Sequence, residues 1–251
     1  MNIQALVFDL DGTAIPQAFD GMPSKRVIAA VAAAKKHCHV SIATGRPYSY
    51  SKEILEALGI EDLCILSGGS CLYSCKTNEY VWKQQLDIPL LEEALYKLQK
   101  FNIREVEDTV HKGHIPFNQY RPTGEIDLVC LYSVTRQESL EIVQIVNETK
   151  GLVAHAMGSW TVGTYDVHIT HELATKKHAL QSLLARLNVD HNHVMVVGDG
   201  GNDLPLFELA GLKIAMENGA DELKAKADWI APKVSDDGLA VAIEKYILSG
   251  K

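Results

Sequence analysis

The sequence predicts an α/β protein: a parallel sheet wrapped by crossover helices and interrupted by a smaller α+β insert. Three observations carry that class. Short apolar runs recur along the chain, each followed by a helical pattern, and strand-helix-strand alternation implies parallel strands joined by crossovers. Two of the runs, near residues 8 and 197, end abruptly in glycine and aspartate. The alternation changes character at residues 83–170 and then resumes, which marks an insert within a core made of residues 1–82 and 171–251. With 251 residues the chain can bury a sizeable core, as one large domain or two modest ones.

The first run (Ile3, Ala5, Leu6, Val7, Phe8) ends in Asp9-Leu10-Asp11-Gly12-Thr13. It is too short, and the glycine comes too soon, for a helix, so it reads as a buried strand that delivers two carboxylates to its C-terminal end. Buried charges are tolerable when paired or coordinated, and a divalent cation is a natural partner. Spacing i and i+2 points Asp9 and Asp11 to one side of an extended chain, while Gly12 lets the chain turn and Thr13 caps the next segment. Taken alone, Asp-Gly is equally a common turn dipeptide.

A polar link with Pro16, Gly21 and Pro23 leads to Ser24, which caps an alanine-rich helix to about residue 36. Residues 40–43 form a second strand, followed by Thr44-Gly45-Arg46-Pro47 and a helix to about residue 58. A hydroxyl at such a strand end, beside backbone N–H groups entering a helix, suits a phosphate oxygen. An N-cap next to a surface arginine accounts for the same residues. A third strand at 63–66 runs into Ser67-Gly68-Gly69-Ser70, which fits either a tight turn or close approach of backbone to ligand. The chain is extended again at residues 71–73.

Within the insert, residues 89–101 place Leu91, Leu95 and Leu98 on one helical face. Strands are expected at 126–132, 152–156 and 161–169, with a helix at 137–150. No repeated catalytic carboxylate pattern occurs there, so the insert is expected to be a cap whose inner face selects the substrate.

Core alternation resumes at Thr175, which caps a helix over residues 176–187 with Ala179, Leu180, Leu183 and Leu184 on its buried side. Lys176 sits in the first turn, where the helix dipole disfavours a cation; a nearby anion would explain it, as would plain exposure. The strand at 193–197 ends in Gly198-Asp199-Gly200-Gly201-Asn202-Asp203-Leu204-Pro205, with Pro205 marking a helix start. Short strands at 213–216 and 229–230, a helix opened by residues 218–221 and a last helix from Asp236 to about residue 248 complete the chain.

Ligands of open α/β sheets bind outside the carboxyl ends of the strands. Asp9 and Asp11, Thr44, and Asp199 with Asp203 all fall at that edge. Carboxylate oxygens without a His/Cys set favour a hard cation, magnesium, over zinc. The five cysteines are odd in number and lack paired CxxC spacing, so they read as free thiols. Lys+Arg total 24 against 32 Asp+Glu, and the formal net charge of −8 disfavours nonspecific binding to nucleic acid or to an anionic membrane. No secretory leader and no apolar run of spanning length is recognisable, which makes the cytoplasm the expected location.

Together these motifs closely resemble the haloacid dehalogenase superfamily, with its Rossmann-like core, and within it the Cof-like phosphatases that carry a type IIB α/β cap between the second and third motifs. The resemblance rests on Asp9-Leu10-Asp11-Gly12-Thr13, Thr44-Gly45-Arg46, Lys176, and Gly198-Asp199-Gly200-Gly201-Asn202-Asp203, in the family's order and spacing, and on the tail from Ala215 to Ala220. Gly68 stands where many relatives have asparagine and Gly219 where alanine is usual; both bear on substrate identity. The resemblance implies Mg²⁺-dependent hydrolysis of a small phosphomonoester through an aspartyl-phosphate. Asp9 would be the nucleophile, Asp11 the general acid and base, and Lys176 the neutralising cation. Thr44, Gly45, Lys176 and Asn202 would hold the phosphate. Asp9, the main-chain carbonyl of Asp11, and Asp199 would bind the metal, with Asp203 orienting groups behind them. The retained Asp11 separates this pattern from dehalogenating relatives. A sugar phosphate is the first expectation for substrate and a phosphorylated cofactor the second. A phosphomutase, or a non-catalytic phosphosugar-binding protein on the same fold, is the alternative. Arg104, His111, His114, Tyr120, Arg121 and Trp160 of the cap are candidates to face substrate, with no role assigned, and oligomeric state is not legible.

Overall fold

A computed structural model describes residues 2–111, 113–159 and 161–249; Trp160 lies outside them. The chain forms two compact units, Met1–Trp82 with Thr175–Lys251, and Lys83–Ala174. In chain order the elements are β1 (Ala5–Phe8), α1 (Lys25–Ala34), β2 (His39–Ile42), α2 (Tyr48–Leu58), β3 (Leu63–Leu66), β4 (Cys71–Ser74) and β5 (Glu79–Lys83). The insert adds α3 (Ile88–Lys97), β6 (Glu105–Asp108), β7 (Ile115–Pro116), β8 (Val129–Val134), α4 (Arg136–Asn147), β9 (Leu152–Gly158) and β10 (Tyr165–His171). The chain ends with α5 (Lys176–Leu187), β11 (Val194–Gly198), α6 (Leu204–Phe207), β12 (Leu212–Met216), α7 (Asp221–Lys224), β13 (Trp229–Ala231) and α8 (Gly238–Ile243).

The first unit is built on a parallel sheet of order β13-β12-β11-β1-β2. Because side chains alternate across a strand, β1 sends Leu6 and Phe8 to one face and Ala5 and Val7 to the other. The first pair joins Val27, Val31, Leu55, Leu58 and Ile243 of α1, α2 and α8; the second joins Leu180, Leu183 and Phe207 of α5 and α6. The helices start where local chemistry stops the chain from continuing as a strand. The Ser24 hydroxyl accepts from the Val27 N–H at 3.1 Å, and the Thr175 hydroxyl accepts from the His178 N–H at 3.3 Å.

The third expected strand is not a full member of the parallel sheet. Residues of β3 pair antiparallel with β4, in a separate sheet β3-β4-β5, and β3 meets the end of β2 through the single bridge Ala43↔Ile65. Residues 161–164 form a turn closed by the Thr164 N–H on the Thr161 carbonyl, so β10 starts later than its sequence pattern indicated. The last helix starts at Gly238, after Asp237 takes a left-handed φ of 57°, and ends in a π-type turn at Glu244–Leu248.

In the second unit an antiparallel sheet, order β7-β6-β8-β10-β9, carries α3 and α4 on one face. Val106, Val129, Leu131, Ala154, Val167 and Ile169 meet Leu91, Leu98, Ile142 and Val146 there. Strand alternation puts Glu107, Cys130, Tyr132, His155, Asp166 and His168 on the opposite face. The unit extends to Ala174 rather than closing at residue 170, because β10 runs on to His171.

Candidate active site

The register of the parallel sheet sets three loops side by side. Phe8 pairs with Val197 on one side and Ile42 on the other, so Asp9, Asp199 and Thr44 leave adjacent strands at the same edge. Asp9 is buried, and its Oδ1 accepts from Lys176 Nζ at 3.1 Å. The same ammonium donates to Asp203 Oδ1 at 2.6 Å. Lys176 is 2% exposed, so two carboxylates, rather than solvent, account for a lysine at the first turn of α5. The other oxygen of Asp203 accepts the backbone N–H groups of Asp199 (3.0 Å) and Gly200 (3.1 Å), fastening the loop after β11.

Asp199 Oδ1 accepts from the Thr13 hydroxyl at 3.1 Å, a role in place of the capping expected for Thr13. The chain after β1 can come this close because Gly12 takes φ +75° and has no side chain; a Cβ there would lie 2.2 Å from Asp199 Oδ2. The Asn218 side chain donates to the Gly12 carbonyl at 2.8 Å and accepts from the Val234 N–H at 2.9 Å, tying the loop after β12 to the same turn.

One carboxylate oxygen from each of Asp9, Asp199 and Asp203 lies within 4.8 Å of the others. Burial pushes the Asp9 carboxyl well above its usual range; Lys176 opposes that, and Asp203 and Asp199 add to it. Burial and the Asp203 charge push Asp199 up to about 6, against the Thr13 hydrogen bond. Burial would lower the Lys176 ammonium, but Asp203 and Asp9 more than reverse this. Three carboxylates thus share one ammonium, and the cluster is short of positive charge. An oxygen-only donor set of this kind fits a hard divalent cation such as Mg²⁺. Asp203 has both oxygens engaged, whereas among the described residues no hydrogen bond to Asp9 Oδ2 or Asp199 Oδ2 is formed.

Asp11 is not one of the converging carboxylates. Arg46 holds it in a two-pronged pair, Nε to Oδ2 at 2.8 Å and Nη2 to Oδ1 at 2.6 Å. The guanidinium also donates to the carbonyls of Ala18 (2.9 Å) and Phe19 (3.1 Å). With its side chain 10% exposed, Arg46 is no surface arginine. In the sequence only the placement of Thr-Gly-Arg just after a strand end hinted at it; its partner 35 residues upstream was invisible. Thr44 is fully buried, with its hydroxyl accepting the Arg46 N–H at 3.1 Å and its carbonyl accepting the Gly68 N–H. Gly45 has open space where a side chain would stand. Asn202 lies on the Gly201–Asp203 turn but is exposed and takes no part in the cluster's hydrogen bonds.

Four of the cap candidates, Tyr120, His111, His114 and Arg121, bond within the cap. Tyr120 is buried and donates to Asp108 Oδ2 at 2.6 Å, where His111 Nδ1 also bonds at 2.7 Å. The His114 ring stacks on Tyr132 and bonds Glu105 at 2.9 Å. Arg121 donates to the Tyr120 carbonyl, and Arg104 is exposed.

The profile of the haloacid dehalogenase-like hydrolases matches residues 6–111 and 109–243. The chain is 25% identical to the 5-amino-6-(5-phospho-D-ribitylamino)uracil phosphatase YcsE of Bacillus subtilis, over 99% of this chain and 97% of that protein. It is 24% identical to a phosphoglycolate phosphatase of Methanobrevibacter smithii, over 99% and 100%. Its fold superposes on the subclass IIB sugar phosphatase BT4131 with a TM-score of 0.78, at 19% identity, covering 97% of this chain and 98% of that one. A match along nearly the whole chain, with the strand-end carboxylates in place, makes this protein a member of the haloacid dehalogenase-like hydrolases, and among them a Cof-like phosphatase.

Proposed function

We propose that this phosphatase is Mg²⁺-dependent and hydrolyses a small phosphomonoester, a sugar phosphate before any other, through a phosphoryl group carried on Asp9. The observation that carries the reading is the buried cluster in which Lys176 bridges Asp9 and Asp203 while Asp199 stands within reach. A nucleophilic carboxylate must be ionised yet meet an anionic phosphate, and the Lys176 ammonium at 3.1 Å offsets that repulsion. A magnesium ion held by Asp9, Asp199 and the main-chain carbonyl of Asp11 would supply the remaining positive charge and polarise the phosphoryl group.

Asp9 attacks phosphorus and expels the alcohol oxygen, which takes a proton from Asp11. Asp11 then takes a proton from water as that water attacks the phosphoaspartate, releasing inorganic phosphate and restoring Asp9. Arg46 fixes the direction of the Asp11 carboxylate through its fork. Thr44, the Gly45 backbone and Asn202 hold phosphate oxygens. Asp203, with both oxygens engaged, keeps Lys176 and the loop of Asp199 in place. The related phosphatases of B. subtilis and M. smithii act on small phosphomonoesters, which supports a small metabolite as substrate; the insert, residues 83–174, would choose among them. The net charge of −8 supports a role apart from nucleic acid and anionic membrane surfaces; the cytoplasm is the proposed location.

The test is phosphate release from a panel of sugar phosphates, nucleotides and phosphorylated cofactors, with Mg²⁺ and with chelator, using Asp9→Asn as control. Release that needs Mg²⁺ and that the variant lacks is expected. Isomerised sugar phosphate without free phosphate would replace hydrolysis by a mutase reaction, and full activity of Asp9→Asn would remove it as nucleophile.

A further inference from the structure

Two of the five cysteines, 11 residues apart, are brought together by the hairpin of β3 and β4. Cys64 Sγ and Cys75 Sγ lie 3.6 Å apart. Cys64 pairs with Tyr73 across the ladder, so Cys75, two residues beyond Tyr73, falls on the same face of the hairpin. Cys75 also stands one residue past the last ladder pair, Leu63↔Ser74, where the chain enters the turn at residues 75–78. Cys64 is fully buried, whereas Cys75 is half-buried and lines a cleft of about 150 Å³ together with Tyr48, Leu55 and Tyr73. One sulfur of the pair is therefore reachable from outside and the other waits behind it.

We propose that Cys64 and Cys75 form a dithiol site that undergoes exchange with low-molecular-weight disulfides, closing an intramolecular disulfide. The Cys75 thiolate attacks one sulfur of a small disulfide, forming a mixed disulfide and expelling a thiolate that takes up a proton. Cys64 then gives up its proton and attacks the Cys75 sulfur, displacing the second small thiol. Two protein thiols are oxidised to one cystine, and one disulfide is reduced to two thiols. Closure shortens the separation from 3.6 Å to about 2.05 Å. The movement falls on Cys75, whose backbone lies outside the ladder, so β3 keeps its hydrogen bonds.

The environments assign the order of attack. The sulfur–sulfur contact with Cys64 lowers the Cys75 thiol, while burial raises Cys64. Burial also pushes Cys38 up to about 11 and raises Cys130. A thiol is nucleophilic as its thiolate, so Cys75 reacts before Cys38 or Cys130.

The experiment equilibrates the full-length protein in glutathione buffers from reducing to oxidising, quenches in acid, denatures it so that buried thiols are reached, blocks remaining thiols with an alkylating agent, and reads intact mass and disulfide-linked peptides. Wild-type protein is expected to lose two alkylatable thiols, to gain a Cys64–Cys75 linked peptide pair, and to recover both thiols in dithiothreitol. Cys64→Ser should stop at a glutathione adduct on Cys75, Cys75→Ser should form neither product, and Cys130→Ser should behave as wild type. The proposal is overturned if wild-type protein equilibrated in the oxidising buffer still shows both thiols alkylated after denaturation, or if adducts form first on Cys38 or Cys130. Because the wild-type peptide map alone decides this, a variant that fails to fold leaves the test intact.

Discussion

Replacing Lys176 by methionine removes the one ammonium from a cluster of three carboxylates while keeping most of the side-chain volume, so the cavity contribution is small. Lys176, Asp9 and Asp203 are 2%, 5% and 0% exposed, and both hydrogen bonds to Nζ are lost together. Removing one partner of a buried ion pair costs about 3–5 kcal/mol, because the remaining charge is left uncompensated away from water. That is a large share of the roughly 5–15 kcal/mol that holds a typical domain folded. The loss also depends on pH. The Asp9 carboxyl is already raised by burial, and without Lys176 it rises further. A carboxyl whose folded pKa exceeds its unfolded value favours folding below the unfolded pKa, and that contribution disappears as pH rises through the folded pKa. The deficit of Lys176→Met should therefore be smallest near pH 5 and grow toward pH 8. Urea unfolding in the presence of chelator, monitored by circular dichroism at several pH values, measures it. Added Mg²⁺ should restore part of the loss by binding the folded state, about 2.7 kcal/mol at a hundred times Kd. A variant within about 0.5 kcal/mol of wild type at pH 8 in chelator would refute the claim that the ammonium is what makes this cluster tolerable.

Asp199→Asn removes a carboxyl held at about 6 by burial and by Asp203. Ionising it above that pH costs the fold about 1–3 kcal/mol, so the variant should be more stable than wild type at pH 8 in chelator yet lose the stabilisation that Mg²⁺ gives; calorimetry with and without Mg²⁺ reads both. In the cap, burial and then the neighbouring His155 hold His168 at about 4. The unfolded chain takes up a proton near pH 6.5 that the folded cap refuses, so stability should fall by about 2 kcal/mol between pH 7.5 and 5, and His168→Gln should flatten that slope in urea midpoints. Arg46→Ala should destabilise the fold by about 1–3 kcal/mol, because the fork on Asp11 and the bonds to the Ala18 and Phe19 carbonyls are lost together. The folded variant should slow an alkyl phosphate about 10-fold or more beyond any effect on an activated aryl phosphate, since only a poor leaving group needs Asp11 correctly aimed. Equal losses on both substrates would mean that the Arg46 fork merely braces the loop after β1. Gly69→Ala should cost more than an ordinary glycine substitution, because φ is +106° and the new Cβ would stand 2.3 Å from the Thr175 backbone at the start of α5; thermal unfolding within about 2 °C of wild type would contradict that close approach.

Much of the core could be read from local pattern. The apolar runs around Val7 and Val196 are continuous because both faces of those strands are covered, and Thr175 stops the chain at the residue before α5 because its hydroxyl takes an orphan N–H of the first turn. Where local pattern is ambiguous, pairing with distant strands decides. Glu105–Asp108 has a single apolar side chain, Val106, and owes its extended form to pairing with β8 and β7 rather than to its own composition. β3 carries the same apolar signal as the parallel strands, yet the turn at residues 67–70 sends its ladder to β4.

The sequence by itself determined which side chains stand at strand ends and helix starts, since period, caps and glycine turns act over a few residues. Tertiary structure alone decided which of them meet. Lys176 reaches Asp9 across 167 residues, Thr13 reaches Asp199 across 186, and Arg46 takes Asp11 out of the converging group. Those pairings depend on strand order and register, which bring distant residues to one sheet edge, and on burial, which turns separate charges into a single cluster that must balance.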